Sequence, residues 1–281
     1  MTSEHHESSG QRAFLRRLLR ESATRFGVAP IGDVVFGWRD RTIGSAVISS
    51  GDRFWLRATA EHQDWAQGEA WTGNRDAADI RGLPKPEFLG RVEWDEPPVG
   101  MYAELMAYVP DTPCSATSEL LQPFAAPDRW WADLRTALDE LARHPTDRGE
   151  HDPNTVVSRL EDLYARRLDL PVPALRTEHT DLHWANLTSP RLWILDWEYW
   201  GAAPSGYGAA LLYCHSLLIP ETAEKVYEVF ADLLDTPTGL VAQLSAAANI
   251  LSRGYRVDDY GELQRPVWAL AHRLLDEAER G

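Results

Sequence analysis

Three oxygen-bearing side chains stand out in this 281-residue chain for their spacing. Asp181 and Asn186 lie five positions apart in the stretch His179-Thr180-Asp181-Leu182-His183-Trp184-Ala185-Asn186, which reads as a loop. Asp196 follows ten positions later, after the apolar run Leu192-Trp193-Ile194-Leu195, which reads as a short strand. A loop carboxylate can take the proton of a hydroxyl group. An amide oxygen and a second carboxylate are hard donors of the kind Mg²⁺ accepts, because Mg²⁺ uses few protein ligands and shares its shell with water and phosphate. An Asp base, an Asn and a further Asp together suit phosphoryl transfer. A second chemistry uses the same stretch. His179, Asp181 and His183 alternate, so on a strand they would face one side and could hold zinc. The Ala185-Asn186 that follows reads as loop, and no further His stands at a fitting short spacing.

The elements that must position these residues fall into two groups. Residues 11–26 form an amphipathic helix, with Phe14, Leu15, Leu18 and Leu19 on one stripe and arginines on the other; residues 1–10 are expected to be a disordered tail. Three short strands follow, at 34–36, 43–48 and 53–58, with Gly37, Gly44 and Gly51 in their links. The first hairpin, Gly37 to Gly44, is a weak glycine loop whose Arg39 and Arg41 could hydrogen-bond phosphate. A helix over 62–78 is expected, with Trp65 and Trp71 as core anchors and Glu69 one turn beyond Trp65. The prolines of 82–90 exclude helix there. A strand over 101–109 ends at Pro110-Asp111-Thr112-Pro113, which places the domain boundary at 110. Helices are predicted at 127–143, 155–168, 206–219, 221–234, 238–252 and 262–279, and the stretch 179–200 interrupts them. A small β lobe followed by a larger, mainly α-helical lobe places a shared site in the cleft between them.

The net charge is −15, of which residues 1–109 carry only −3. This acidity disfavours nucleic acid as a partner, since phosphate backbones need basic surface. It permits a cationic partner on the C-terminal part, where Asp258, Asp259 and Glu262 lie. No apolar run approaches the ~20 residues of a membrane span. No signal peptide is read in the first residues, and two distant cysteines, Cys114 and Cys214, suggest no disulfide framework. The expected location is the cytoplasm.

The His179–Asn186 stretch resembles the H-G-D-x-H-x-x-N loop of aminoglycoside phosphotransferase-like kinases. Leu195-Asp196-Trp197-Glu198, with Gly201, Pro204, Gly206 and Tyr207, resembles that family's D-W-E segment with its trailing Gly and Pro. The resemblance implies an α+β, bilobal protein-kinase-like fold, with a nucleotide-binding lobe at 1–109 and a catalytic, acceptor-binding lobe at 110–281. It implies ATP, with GTP not excluded, and Mg²⁺. Asp181 would be the base, Asn186 and Asp196 the metal ligands, and His179 and His183 supports of the loop. Ala107 and Val109 would offer backbone groups to adenine.

Three positions depart from the family's pattern. The strand lysine is absent; Arg57 is the aligned cation, with Glu69 as its expected partner, and arginine differs from lysine in reach and geometry. Thr180 replaces a glycine beside the base, where a positive φ would strain a β-branched residue. Gly208 stands where the family has an acidic residue that buttresses the loop, which leaves two outcomes: a looser loop, or another carboxylate in its place.

The activity implied is transfer of the γ-phosphate to a hydroxyl of a small molecule, such as an aminoglycoside or another natural product, with antibiotic resistance or natural-product biosynthesis as the setting. Two alternatives stay open: a Ser/Thr kinase for a ribosomal peptide, working with a protein partner, and a degenerate kinase fold used for binding.

Overall fold

The computed structural model describes residues 2–165, 167–257 and 261–279, with side chains described for 10–165, 167–253 and 261–279. Asp258 and Asp259 lie outside the described residues. The chain divides into two compact units, one of residues 1–79 and 85–110, the other of residues 80–84 and 111–281.

The first unit is a five-stranded antiparallel sheet with one helix on each face. Helix α1 (Thr2–Phe26) precedes strands β1 (Ala29–Phe36), β2 (Thr42–Ser49) and β3 (Asp52–His62). Helix α2 (Glu69–Asp76), β4 (Phe88–Glu96) and β5 (Val99–Ala107) complete it, in the spatial order β1-β2-β3-β5-β4. Helix α1 begins at Thr2, so residues 2–10 are helical where a disordered tail was expected; no proline interrupts the stretch. Period-two alternation decides the faces of the sheet. Ile43, Val47, Leu56, Ala58, Met101 and Ala103 turn to α1, which buries Leu15, Leu18, Leu19 and Ala23 against them at i, i+3, i+4 and i+8. Each such leucine stabilises the unit by roughly 1.5–3 kcal/mol.

On the opposite face, Trp71 of α2 meets Tyr102 edge-on, with centroids 4.4 Å apart. The helix expected over 62–78 is shorter than the sequence suggests. Strand β3 runs on to His62, and Gly68, at φ 81°, breaks the chain before Glu69. Trp65 therefore falls in the connecting turn and is 74% exposed, a correction to its expected place in the core. Strand β4 was not foreseen, because its apolar residues are few and spaced by charged ones.

The second unit is mainly helical. It contains β6 (Thr112–Pro113), α3 (Asp128–Arg143), α4 (Pro153–Tyr164), β7 (Leu175–His179), β8 (Thr188–Ser189) and β9 (Trp200–Pro204). Helices α5 (Tyr207–Ser216), α6 (Pro220–Leu234), α7 (Pro237–Val257) and α8 (Gly261–Ala278) follow. Helix α5 is buried nearly all round, as its largely apolar sequence requires, and packs on α6 and α7. Asp152 caps α4 by accepting the Asn154 N–H at 2.9 Å. Leu163 is exposed near the end of that helix. The apolar run Leu192–Leu195 makes a single bridge, Leu187 to Ile194, rather than a strand. No described helix is long and apolar enough to cross a membrane.

Candidate active site

Two short strands frame the loop that carries the candidate residues. Strand β7 pairs with β9 through His179 and Trp200, and the Thr180 N–H donates to the Tyr199 carbonyl at 3.1 Å, so the loop leaves the ladder at Asp181. Trp184 anchors its middle. This side chain is fully buried among Phe124, Trp130 and Trp131, and its indole N–H donates to Ser216 Oγ of α5 at 3.0 Å. Thr180 is not among the positive-φ residues, so the strain foreseen beside Asp181 does not arise. The left-handed position is Asp196, at φ 54°; Asp tolerates this conformation better than most residues, and such positions gather at functional sites.

Asp181 and Asn186 are brought together by the loop itself. Asn186 Nδ2 donates to the Asp181 carbonyl at 3.0 Å and to His183 Nε2 at 3.3 Å. The Leu195 N–H donates to the Asn186 carbonyl at 2.8 Å, which ties the loop to the segment that presents Asp196. Both amide hydrogens of Asn186 are thus turned into the loop, which leaves Oδ1 as the polar atom of that side chain suited to a metal. Asp196 is exposed at the surface of its segment. Two hard oxygen donors of this kind fit Mg²⁺, which fills the rest of its shell with water and phosphate. Among the described residues, no group of three or more His, Cys, Asp or Glu side chains is placed to hold a metal ion. The alternating His179, Asp181 and His183 accordingly form no zinc site.

The three histidines around the loop are separated by their environments. His179 is fully buried at the end of β7. Burial pushes its pKa down, and its Nε2–H donates to the Leu195 carbonyl at 3.1 Å with Trp197 edge-on to the ring. His183 Nε2 lies 3.6 Å from Asp181 Oδ2, beyond hydrogen-bond distance. His215 of α5, which the sequence did not single out, packs edge-on to His183, and burial pushes it down to about 3.

Burial works to raise the pKa of Asp181, but His183, Arg253 and His179 outweigh it and hold the carboxyl well below the usual carboxylate range. Arg253, on α7, places Nη1 3.4 Å from Asp181 Oδ1. It stands 72 positions along the chain from Asp181, so no local pattern could have linked the two.

Glu178 is a further residue missed by the sequence. It is buried on β7, and its carboxylate accepts the N–H of Gly206 at 2.7 Å and of Gly208 at 3.1 Å, at the N-terminus of α5. Burial pushes it up to about 7 against the pull of those two donors.

The nucleotide-side candidates lie in the first unit. Arg57 sits on β3 directly opposite Gly44 of β2 and Glu104 of β5. Glu104 is fully buried and accepts Arg91 Nη1 at 2.8 Å and Asn74 Nδ2 at 2.9 Å. Glu69, the partner foreseen for Arg57, opens α2 as an exposed residue. The Ala107 N–H is occupied by the Glu87 carbonyl at 2.8 Å, which removes it from the groups available to a base; Val109 follows the end of β5. In the Gly37–Gly44 hairpin, a Cβ at Gly44 would stand 2.5 Å from the Trp55 ring, and one at Gly37 2.1 Å from Thr42 Oγ1. Close packing by these two neighbours explains both glycines.

An antiparallel five-stranded unit with flanking helices, followed by a mainly helical unit carrying such a loop, is the α+β protein-kinase-like fold, as solved structures show. A thermostable mutant of aminoglycoside phosphotransferase APH(4)-Ia, in ternary complex with AMP-PNP and hygromycin B, superposes with a TM-score of 0.61 at 15% identity, over 90% of this chain and 97% of that one. Spectinomycin phosphotransferase APH(9)-Ia, with ADP and spectinomycin, gives 0.52 at 10% identity over 93% of each chain. A protein described as a fructosamine-3-kinase from Haemophilus somnus gives 0.51 at 11% identity, over 94% of this chain and 99% of its own. No family model and no curated protein matches the sequence. The structural likeness establishes the fold that the loop motif led us to expect.

Proposed function

We propose that this protein is an ATP-dependent phosphotransferase acting on a hydroxyl group of a small molecule. The observation that carries the reading is the Asp181–Asn186–Asp196 arrangement: the base and the amide are locked in one loop by the Asn186 Nδ2 donation to Asp181, and Leu195 joins that loop to Asp196. Solved proteins of the same fold hold AMP-PNP or ADP together with hygromycin B or spectinomycin, which supports a nucleotide and a small-molecule acceptor here. A cavity of about 460 Å³ in the second unit, lined in part by Thr180, Tyr207 and Arg253, is of the size that takes a small molecule.

In this proposal the acceptor oxygen attacks the γ-phosphorus, the bond from that phosphorus to the β–γ bridging oxygen breaks, ADP leaves, and the hydroxyl proton passes to Asp181. The low pKa of Asp181 keeps it ionised at neutral pH, so it orients the hydroxyl throughout and takes the proton late, as the bond to phosphorus forms. His179 holds the loop through Leu195, and His183 holds the Asn186 amide. Asn186 Oδ1 and the Asp196 carboxylate would hold Mg²⁺, which when bound neutralises charge on the phosphates. Arg57 would supply the cation for the phosphates, and the backbone at Val109 would meet the adenine.

The test is Asp181→Asn with Mg²⁺-ATP and a panel of hydroxylated acceptors. Transfer is expected to fall by ~10²–10⁴-fold while nucleotide affinity is retained. Unchanged turnover would remove Asp181 as the base, and a wild-type protein that binds no Mg²⁺-ATP would leave the non-catalytic use of the fold as the better reading.

A further inference from the structure

We infer that Arg148 is a positioning residue of the candidate site: its guanidinium fixes the turn that follows Asp196, and so fixes where the Asp196 carboxylate stands. The inference rests on the phosphotransferase reading above, in which that carboxylate holds Mg²⁺, and it names a side chain that acts through the backbone rather than on the metal itself.

Arg148 belongs to the link between α3 and α4 and is buried. Its guanidinium carbon lies 4.6 Å from the centroid of the Trp200 ring. From there Nε donates to the Trp200 carbonyl at 3.3 Å and Nη2 to the Glu198 carbonyl at 3.4 Å. One side chain thus holds two carbonyls of the stretch that leaves Asp196. The backbone of the link continues the contact. The Ala202 N–H donates to the Arg148 carbonyl at 2.7 Å, and the Glu150 N–H donates to the Ala202 carbonyl at 3.0 Å. The two segments lie so close that a Cβ on Gly149 would stand 2.5 Å from the Ala202 nitrogen, and one on Gly201 2.8 Å from the Arg148 carbonyl oxygen. The link is anchored in turn: Thr177 of β7 donates its hydroxyl to the His144 carbonyl, and the Arg148 N–H donates to Thr146 Oγ1 at 3.0 Å. The planar fork of arginine can span two carbonyls at fixed spacing, where the single ammonium of lysine is a point on a flexible stem.

The stretch that Arg148 braces needs support on both sides. Asp196 has φ 54°, a conformation that a non-glycine residue keeps only where its surroundings over-determine it. Before it, the Leu195 carbonyl accepts His179 Nε2–H at 3.1 Å, and the Ile194 carbonyl accepts the Trp197 indole N–H at 2.9 Å. After it, the Thr180 N–H holds the Tyr199 carbonyl at 3.1 Å, and Arg148 holds the carbonyls of the residues on either side of Tyr199. Asp196 is itself exposed, so burial of its side chain does not place it; the braced backbone on its two sides sets where its carboxylate starts. Groups that orient a metal ligand without touching the metal change metal affinity by about 10–100-fold when they are removed.

The experiment uses the full-length protein and reads metal binding without turnover. Mn²⁺ replaces Mg²⁺, because the paramagnetic resonance signal of free Mn²⁺ reports its affinity in the presence of AMP-PNP. Calorimetric titration of AMP-PNP in EDTA reports nucleotide binding alone, and thermal unfolding reports the fold. Arg148→Gln should weaken Mn²⁺ binding by at least about tenfold while AMP-PNP affinity in EDTA stays within about twofold. Arg148→Lys should restore part of the Mn²⁺ affinity. Trp200→Leu, which removes the ring under the guanidinium and keeps the carbonyl it bonds, should shift Mn²⁺ affinity in the same direction by less. If Arg148→Gln does not fold, the other two variants carry the same comparison. Folded variants that lose stability but bind Mn²⁺ as the wild type does would make Arg148 a structural residue only and overturn the inference. So would a loss of AMP-PNP affinity in EDTA as large as the loss for Mn²⁺, since that marks a general loosening. A wild type that binds no Mn²⁺ with AMP-PNP, or an Asp196→Ala variant that binds it unchanged, would instead defeat the reading of Asp196 as a metal ligand, and the inference with it.

Discussion

Glu178 Oε2 accepts the Gly208 N–H at 3.1 Å, and a Cβ built on Gly208 would stand 3.3 Å from that same oxygen. The space beside Gly208 is thus occupied by the Glu178 carboxylate, on the strand that leads into the loop. It lies over the N-terminus of α5, where unpaired N–H groups and the helix dipole favour a negative charge. Gly208 is small because the site it would point into is already filled.

This contact can be tested as a double-mutant cycle. Glu178→Ala leaves two buried N–H groups without an acceptor and should cost about 2–3 kcal/mol in urea unfolding at neutral pH. Gly208→Asp alone crowds the Glu178 oxygen and the His179 carbonyl with a like charge and should also destabilise. The double variant should recover part of the loss, with a coupling of ~1–2 kcal/mol. Strict additivity would show that the two positions do not share a site.

The pH dependence of stability follows from the same carboxyl. Its folded-state pKa is raised to about 7 from an ordinary 4.5, chiefly by burial. The folded state therefore holds the proton more tightly than the unfolded chain. The resulting stabilisation is complete below pH 4.5 and is lost as pH rises through about 7. Glu178→Gln should flatten the stability curve over this window, measured as the difference in unfolding free energy between wild type and variant from pH 4 to 8. A difference that does not change with pH would place the folded-state pKa near its ordinary value.

Asn186 should decide how the protein depends on Mg²⁺. Asn186→Ala removes both the amide oxygen and the two donors that hold the Asp181 carbonyl and His183. Asn186→Asp keeps an oxygen but loses those donors. ATP turnover titrated with Mg²⁺ should show a higher half-saturating concentration in the alanine variant, with turnover lowered by ~10²-fold or more. The aspartate variant should keep Mg²⁺ affinity better than it keeps turnover. Equal Mg²⁺ dependence in all three proteins would exclude Asn186 as a ligand.

In the first unit, the buried pair of Glu104 and Arg91 should be the most sensitive polar contact. Both side chains are at most 5% exposed. Glu104→Ala would leave the Arg91 guanidinium, which lies 3.6 Å over the Tyr102 ring, with the half-exposed Glu93 in place of a buried carboxylate partner, and remove the acceptor of Asn74 Nδ2. The expected loss is ~3–5 kcal/mol, read from thermal or urea unfolding. A loss below ~1 kcal/mol would mean that water or a neighbouring group replaces the carboxylate.

Much of the loop was legible because its signals are local. Asp181, Asn186 and Asp196 lie within sixteen positions, and the hydrogen bonds that gather them run between near neighbours along the chain. The long helices were legible for the same reason, since an apolar stripe at a spacing of three and four repeats within each of α3, α6 and α8. The expected core place of Trp65 failed because period alone does not reveal that Gly68 takes a positive φ and ends the continuity of the segment. Thr180 failed in the opposite sense: the left-handed backbone lies at Asp196, where the chain turns after Leu195, and not beside Asp181.

The sequence by itself determined the chemistry on offer: one loop with a carboxylate and an amide, a second carboxylate beyond it, and a strand cation that is arginine rather than lysine. Tertiary structure decided which distant groups act on that loop. Arg253 reaches Asp181 from α7, Glu178 on β7 accepts the Gly208 N–H of α5, and Glu104 stands across the sheet from Arg57. These partners are joined by strand register and helix packing across tens of residues. Local spacing cannot encode such pairings, because they exist only once burial of the apolar faces has brought the elements together.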